Sequence, residues 1–104
     1  MMFRSLPSEF DPARPGPAAL IVVGTEWCGF CTQFKPELKA MEPKLRTTRV
    51  YWVDGDSDPR VKAWKVSGFP SVLYHASEGG LYSYKGTRSL GGIQRFIASI
   101  ERHK

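Results

Sequence analysis

Ala18-Ala19-Leu20-Ile21-Val22-Val23 is the longest apolar run of the chain, and what it can become limits everything around it. It is far too short to cross a bilayer, which takes about 20 apolar residues in a helix, so it reads as a buried strand. Upstream, Asp11 to Pro17 holds Pro12, Pro15, Gly16 and Pro17. Fixed φ values and missing backbone donors predict an irregular, extended loop there, with room ahead of it only for a short edge strand around Phe3 to Leu6. Downstream, Gly24-Thr25-Glu26-Trp27 turns the strand into a helix, in which Phe34, Leu38 and Met41 recur at helical spacing with charged residues between them. Pro36 predicts a bend in that helix and Pro43 its end.

The remaining segments follow the same logic. Thr48-Arg49-Val50-Tyr51-Trp52-Val53 is rich in β-branched and aromatic residues and reads as a central strand. Asp54 to Ser57 is a turn; Asp58-Pro59 then opens a short helix continued by Val61, Trp64 and Lys65, with Gly68 closing it. Phe69 to Tyr74 reads as another strand with its proline at the start. Glu78-Gly79-Gly80 is a hairpin signal leading into Leu81 to Tyr84. Ile93, Phe96, Ile97 and Ile100 mark an amphipathic helix. The order β–α–β–α–β–β–α predicts an α/β fold: a mixed sheet of four to five strands with helices on both faces. A chain of 104 residues fits one domain over 1–104, with 1–17 irregular, and buries enough surface to fold without disulfide staples.

The two cysteines are therefore free for chemistry. Cys28 and Cys31 flank Gly29 and Phe30 at the predicted strand-to-helix turn. There the first sulfur lies near unpaired backbone N–H groups and the positive end of the helix dipole, which favours a thiolate. The second is close enough to attack a mixed disulfide. A structural bridge is a weaker reading, because so short a loop gains little from closure. Half a zinc site is weaker still: zinc takes four ligands, or three and water, and His75 and His103 stand far away at no ligand spacing. No metal and no cofactor are expected.

Fifteen Lys and Arg against ten Asp and Glu leave a net charge of +5, which favours acidic partners at encounter. The positive residues are scattered, however. Lys35, Lys44, Arg46, Arg60, Lys85 and Arg102 fall in different segments, without the single stripe of a nucleic-acid reader. A solvated surface is expected and nucleic-acid binding is not. Arg4 is followed by Pro7, Ser8, Glu9 and Asp11 before any apolar stretch of signal-peptide length, so a cytoplasmic protein without membrane attachment is expected.

Four landmarks in order resemble the thioredoxin family, over roughly Ala19 to Lys104: Trp27-Cys28-Gly29-x-Cys31, the helix proline Pro36, Gly68-Phe69-Pro70, and Tyr84-Lys85-Gly86-Thr87-Arg88. The last of these, with Pro36-Glu37, also resembles the catalytic domains of protein disulfide isomerases. The resemblance implies a thioredoxin fold, here trimmed by a short N-terminal region that lacks the usual first helix. It implies a cis Pro70 packed against the dithiol and turning a backbone edge towards the substrate chain. It also implies thiol–disulfide exchange, in which Cys28 attacks a partner disulfide as the nucleophile and Cys31 resolves the mixed disulfide. Trp27, Gly29, Phe30, Phe69 and Pro70 are the implied supporting and substrate-binding residues; Trp27 either shields one side of the dithiol or is a half-exposed packing residue. The implied partners are disulfide-containing proteins and a reductase or other thiol electron donor, and a monomer is expected.

Two departures qualify the resemblance. Thioredoxins usually carry a buried acid six residues before the nucleophile, faced by a lysine; here those positions are Val22 and Val50. Replacing both charges with apolar groups is physically coherent, but it removes an internal base and leaves Cys31 to water, to the departing thiolate or to a partner. Phe30 stands where thioredoxins usually have proline and disulfide isomerases histidine, and it offers no charge to hold a thiolate. Three other functions compete: an oxidant or isomerase, a glutathione-dependent iron–sulfur carrier, and a non-catalytic binding module. The carrier reading rests on Cys28-Gly29-Phe30-Cys31, which differs in its last residue from the CGFS of monothiol glutaredoxins; Trp27 and Phe69 speak against it.

Overall fold

From Ala19 onward the apolar run is buried, because it has a neighbour at each edge and a layer over each face. In a computed structural model, which describes residues 3–45 and 47–102, it forms β1 (Ala19–Gly24). Arg46, His103 and Lys104 lie outside the described residues. Strand β1 pairs in parallel with β2 (Arg49–Asp54) and antiparallel with β3 (Ser71–His75), and β3 pairs antiparallel with β4 (Leu81–Tyr84). The sheet order is β2-β1-β3-β4, and the helices are α1 (Gly29–Met41), α2 (Arg60–Ala63) and α3 (Leu90–Glu101).

Alternation along the strands sorts the core into two layers. Leu20, Val22 and Val50 pack with Phe34 and Leu38 of α1 and Ile93 of α3 on one face. Ala19, Ile21 and Val23 pack with Leu6, Tyr51 and Val61 on the other. The mixed sheet with helices on both faces is the expected one, and no helix precedes β1 among the described residues. None of the described helices is long and apolar enough to cross a membrane.

Local details depart from the sequence pattern. Strand β2 stands at the edge of the sheet and not at its centre. Beyond it, the segment expected as an edge strand makes only one parallel bridge, Arg4 to Tyr51. Pro36 lies inside α1, which ends at Met41 in a 3-10 turn, Glu42–Lys44, that holds Pro43. Helix α2 stops at Ala63, well before Gly68, because Lys65 takes a left-handed φ of 56° that no helix continues. Its start falls one residue later than expected: Pro59 is the N-cap, in helical conformation and with no side-chain cap bond, while the Asp58 carboxylate just before it accepts the Arg60 N–H at 3.0 Å.

The N-terminal segment lays Leu6 and Phe10 over the second face of the sheet and is held by specific bonds. The Arg60 guanidinium, paired with Asp58 at 2.7 Å, donates to the carbonyls of Pro7 at 2.6 Å and Leu6 at 3.3 Å. The buried His75 ring lies 2.9 Å from the Arg14 carbonyl and 3.4 Å from that of Pro17. The hairpin reaches back too, with the Gly80 N–H donating to the Pro12 carbonyl at 2.7 Å. Gly79, at φ +99°, leaves no room for a side chain, since a Cβ there would stand 2.6 Å from the Ala13 carbonyl oxygen.

Candidate active site

The dithiol sits where β1 ends and α1 begins, and Cys28 is itself the N-cap of α1. Its backbone is extended and its sulfur accepts the Cys31 backbone N–H at 3.2 Å, satisfying one of the helix's orphan donors. Cys31 lies one turn in, at 1% exposure against 8% for Cys28. Both carry free thiols.

The two sulfurs titrate in opposite directions for identifiable reasons. Cys28 is lowered chiefly by the hydrogen bond that the Cys31 thiol gives its thiolate; burial opposes this as the next largest effect, and the backbone N–H groups of Cys31 and Phe30 and the positive charge of Arg88 add smaller lowering contributions. Cys31 is pushed up to about 11, first by burial and then by its hydrogen bond to Cys28. The Thr25 backbone N–H and Arg88 pull Cys31 the other way. A sulfur shifted towards its thiolate thus lies beside a protected thiol.

The structure brings Phe69 and Trp27 to the Cys28 side of the site. The Phe69 carbonyl oxygen accepts from the Cys28 thiol at 3.6 Å, and the Phe69–Pro70 peptide is cis. Trp27 meets the Phe69 ring edge-on at 5.8 Å and donates its indole N–H to Asp56 at 2.7 Å. It is 70% exposed, so it stands out as a free apolar surface. Phe30, at 65% exposure, lines a groove of about 360 Å3 with Gln33, Glu37, Thr87 and Arg88. A second groove, of about 250 Å3, runs from Gly68 and Pro70 to Lys85 and the same Arg88. Gly29 faces open space.

On the α1 face of the sheet, Val22 is fully buried and Val50 nearly so. They are not register partners: Val22 pairs with Trp52 and Val50 with Leu20. Trp52 instead comes up against the site. A side chain on Gly24 would collide with the Trp52 ring, with Trp52 Cη2 at 2.9 Å and Cys31 Sγ at 3.0 Å from the added Cβ. Trp52 and Thr25 are contributors that local pattern does not single out, and Arg88, quoted only as the last residue of a landmark, acts on both sulfurs. Gly24, a glycine ending an otherwise bulky strand, was the one local signal of a close approach. Among the described residues no group of three or more His, Cys, Asp and Glu could hold a metal ion.

A mixed sheet in this order, with a CxxC capping the helix after the central strand and the carbonyl of the residue before a cis proline beside the first sulfur, defines the thioredoxin class. The chain belongs to the thioredoxin family, whose sequence profile matches residues 12–99. It is 28% identical over 85 residues to protein disulfide isomerase-like 1-2 of rice, Oryza sativa subsp. japonica; the match covers 79% of this chain and only 16% of that protein. Its fold is similar to the first thioredoxin domain of mouse protein disulfide-isomerase A4, with TM-score 0.72 and 24% identity over 82% of this chain and 64% of the other. Human ERp44 gives 0.75 and 19% identity, over 94% of this chain and 32% of the other. Mitochondrial thioredoxin 3 of Saccharomyces cerevisiae gives 0.69 and 19% identity, covering 84% and 82%.

Proposed function

We propose that the chain is a thiol–disulfide oxidoreductase that reduces disulfides in protein substrates. The observation that carries this is the asymmetry of the two sulfurs. Cys28 is placed to hold a thiolate at the helix N-cap, and Cys31, one turn in, keeps its proton. In the first step the Cys28 thiolate attacks a substrate sulfur, a Cys28–substrate disulfide forms, and the other substrate sulfur leaves as a thiolate. In the second, Cys31 loses its proton and attacks Cys28. The Cys28–Cys31 bond forms, the bond to substrate breaks, and the second substrate sulfur leaves with the electron pair. The substrate is reduced by two electrons and the dithiol oxidised by two, to be restored by a thiol donor. Trp27 and Phe30 supply apolar surface for an unfolded or extended partner. Reductive duty suits a reducing compartment such as the cytoplasm.

The likeness to protein disulfide isomerase-like 1-2 favours a second reading, an oxidant or isomerase with the same two steps run in either direction. The deciding experiment uses the purified chain and a disulfide-bonded protein. Cys31→Ser should accumulate a mixed disulfide through Cys28, visible by mass, and Cys28→Ser should form none. A substrate left unmodified by Cys31→Ser would overturn the exchange reading. The equilibrium of the wild type with a glutathione buffer then separates the duties: a strongly reducing potential supports reduction, a value near that of the disulfide isomerases supports the second reading.

A further inference from the structure

Thr25 is 4% exposed, and its side-chain oxygen is buried without a hydrogen-bond partner among the described residues. A buried, unpartnered hydroxyl costs stability, and valine would fill the same space without that cost. The neighbouring groups indicate a use. The Thr25 backbone N–H already acts on the Cys31 sulfur, and its carbonyl accepts the Cys28 N–H at 3.4 Å. The residues flanking Cys31 from the sheet are Gly24 and Trp52, with Val22 and Val50 in the same layer; Asp54, the exposed register partner of Gly24, accepts the Asp56 N–H at 2.9 Å, and no carboxylate is among the groups acting on Cys31. The charged groups acting on Cys31 are Cys28, from the helix start, and Arg88, from the loop after β4; the Lys35 ammonium lies 4.7 Å from the Trp52 ring centre.

We propose that Thr25 is a catalytic hydrogen-bond donor to the resolving sulfur: its hydroxyl turns onto Cys31 when that thiol ionises, joining the Thr25 backbone N–H in holding the thiolate. The proposal rests on the exchange reading above. In the reduced chain Cys31 keeps its proton and donates it in a hydrogen bond to Cys28, and a thiol sulfur is only a weak acceptor, so the hydroxyl gains little by turning onto it. Once Cys28 is tied into a mixed disulfide it is no longer an anion, and Cys31 must become one. Its proton leaves for solvent and ends on the departing substrate thiolate; Thr25 keeps its own proton throughout. A donor that gains its acceptor only in that state lowers the barrier without tightening the resting state.

The test mixes the reduced chain with excess dithiobis-nitrobenzoate, which releases one coloured thiolate on attack by Cys28 and another on resolution by Cys31. Thr25→Val should leave the first release unchanged and slow the second about tenfold, the worth of one hydrogen bond to a charged group. The pH midpoint of the second release should move upward, Thr25→Ser should behave as wild type, and Thr25→Val should be no less stable to denaturant. Slow resolution with undiminished stability is a combination that a packing role would not produce. Should Thr25→Val fail to fold, Thr25→Ala against Thr25→Ser makes the same comparison. A Thr25→Val protein that matches an active wild type at every pH would sink the proposal alone. A wild type that gives the first release and no second would sink the exchange reading along with it.

Discussion

The Cys31 backbone N–H points at the Cys28 sulfur across 3.2 Å, so the residue that caps the helix is also the residue whose charge the helix start favours. Alkylation of the reduced chain by iodoacetamide should therefore go to Cys28 first, with a rate whose pH midpoint lies below the ordinary 9.0 of a thiol. Peptide mapping after brief exposure at neutral pH checks this. Equal labelling of Cys28 and Cys31 would contradict the asymmetry.

Cys31 makes the opposite contribution to stability. Burial holds it up at about 11 against an ordinary 9.0, so the folded chain binds its proton more tightly than the unfolded one. That contribution is complete below pH 9.0 and is lost as pH rises towards 11. The reduced protein should lose denaturant resistance over this window. Cys31→Ala should lose less over the same window, a comparison that also removes the alkaline contribution of Tyr74, whose hydroxyl is raised by burial and by Glu101 in both proteins.

The Trp52 ring fills the space that a side chain at Gly24 would need. Gly24→Ala should cost about 1–3 kcal/mol by overpacking a tight site. Part of that should return in Gly24→Ala/Trp52→Leu, giving a coupling of at least about 0.5 kcal/mol in a double-mutant cycle from urea melts. Additive losses would mean that the two positions do not share the space.

The turn holding Cys28, the two helix-forming stripes and the hairpin at Gly79-Gly80 were legible because each depends on neighbours within a few residues. The edge position of β2 was not, because its composition says that it is a strand and nothing about what pairs beyond it. Helix α2 is shorter than its sequence pattern predicts because the periodicity of Val61 and Trp64 runs into Lys65, whose left-handed backbone ends the helix. Trp52 beside Cys31 requires the parallel register of β1 and β2, and Arg88 beside both sulfurs requires the loop after β4 to fold over the start of α1. Long-range placements of this kind leave no periodic trace.

Arg88 lines both grooves beside the dithiol and its charge lowers both sulfurs. Arg88→Gln should raise the midpoint of Cys28 alkylation and slow attack on a neutral disulfide about threefold at low salt, the scale of one exposed charge. The difference should shrink as ionic strength rises. A salt-independent change would point to lost packing against Phe34, over which the guanidinium lies at 5.8 Å.

Arg60 ties the N-terminal segment to α2 through two backbone carbonyls, and its pairing with Asp58 fixes the fork that makes both bonds. Arg60→Ala should cost about 1–2 kcal/mol at neutral pH, the worth of a small set of charge-assisted bonds in a partly buried site. It should also open residues 5–17 to limited proteolysis while leaving the dithiol chemistry intact. The pH dependence separates the Asp58 contribution from the carbonyl bonds. The Arg60 side chain, ahead of the backbone bond, holds the Asp58 carboxyl below its ordinary 3.8, so the pair stabilises the folded chain above that value and loses its effect as pH falls through the lowered one. The melting-temperature gap between wild type and Arg60→Ala should accordingly narrow below pH 3.8 without closing, because the bonds from Arg60 to Leu6 and Pro7 do not titrate. A gap constant down to the acid transition would assign the whole effect to those carbonyls and none to Asp58.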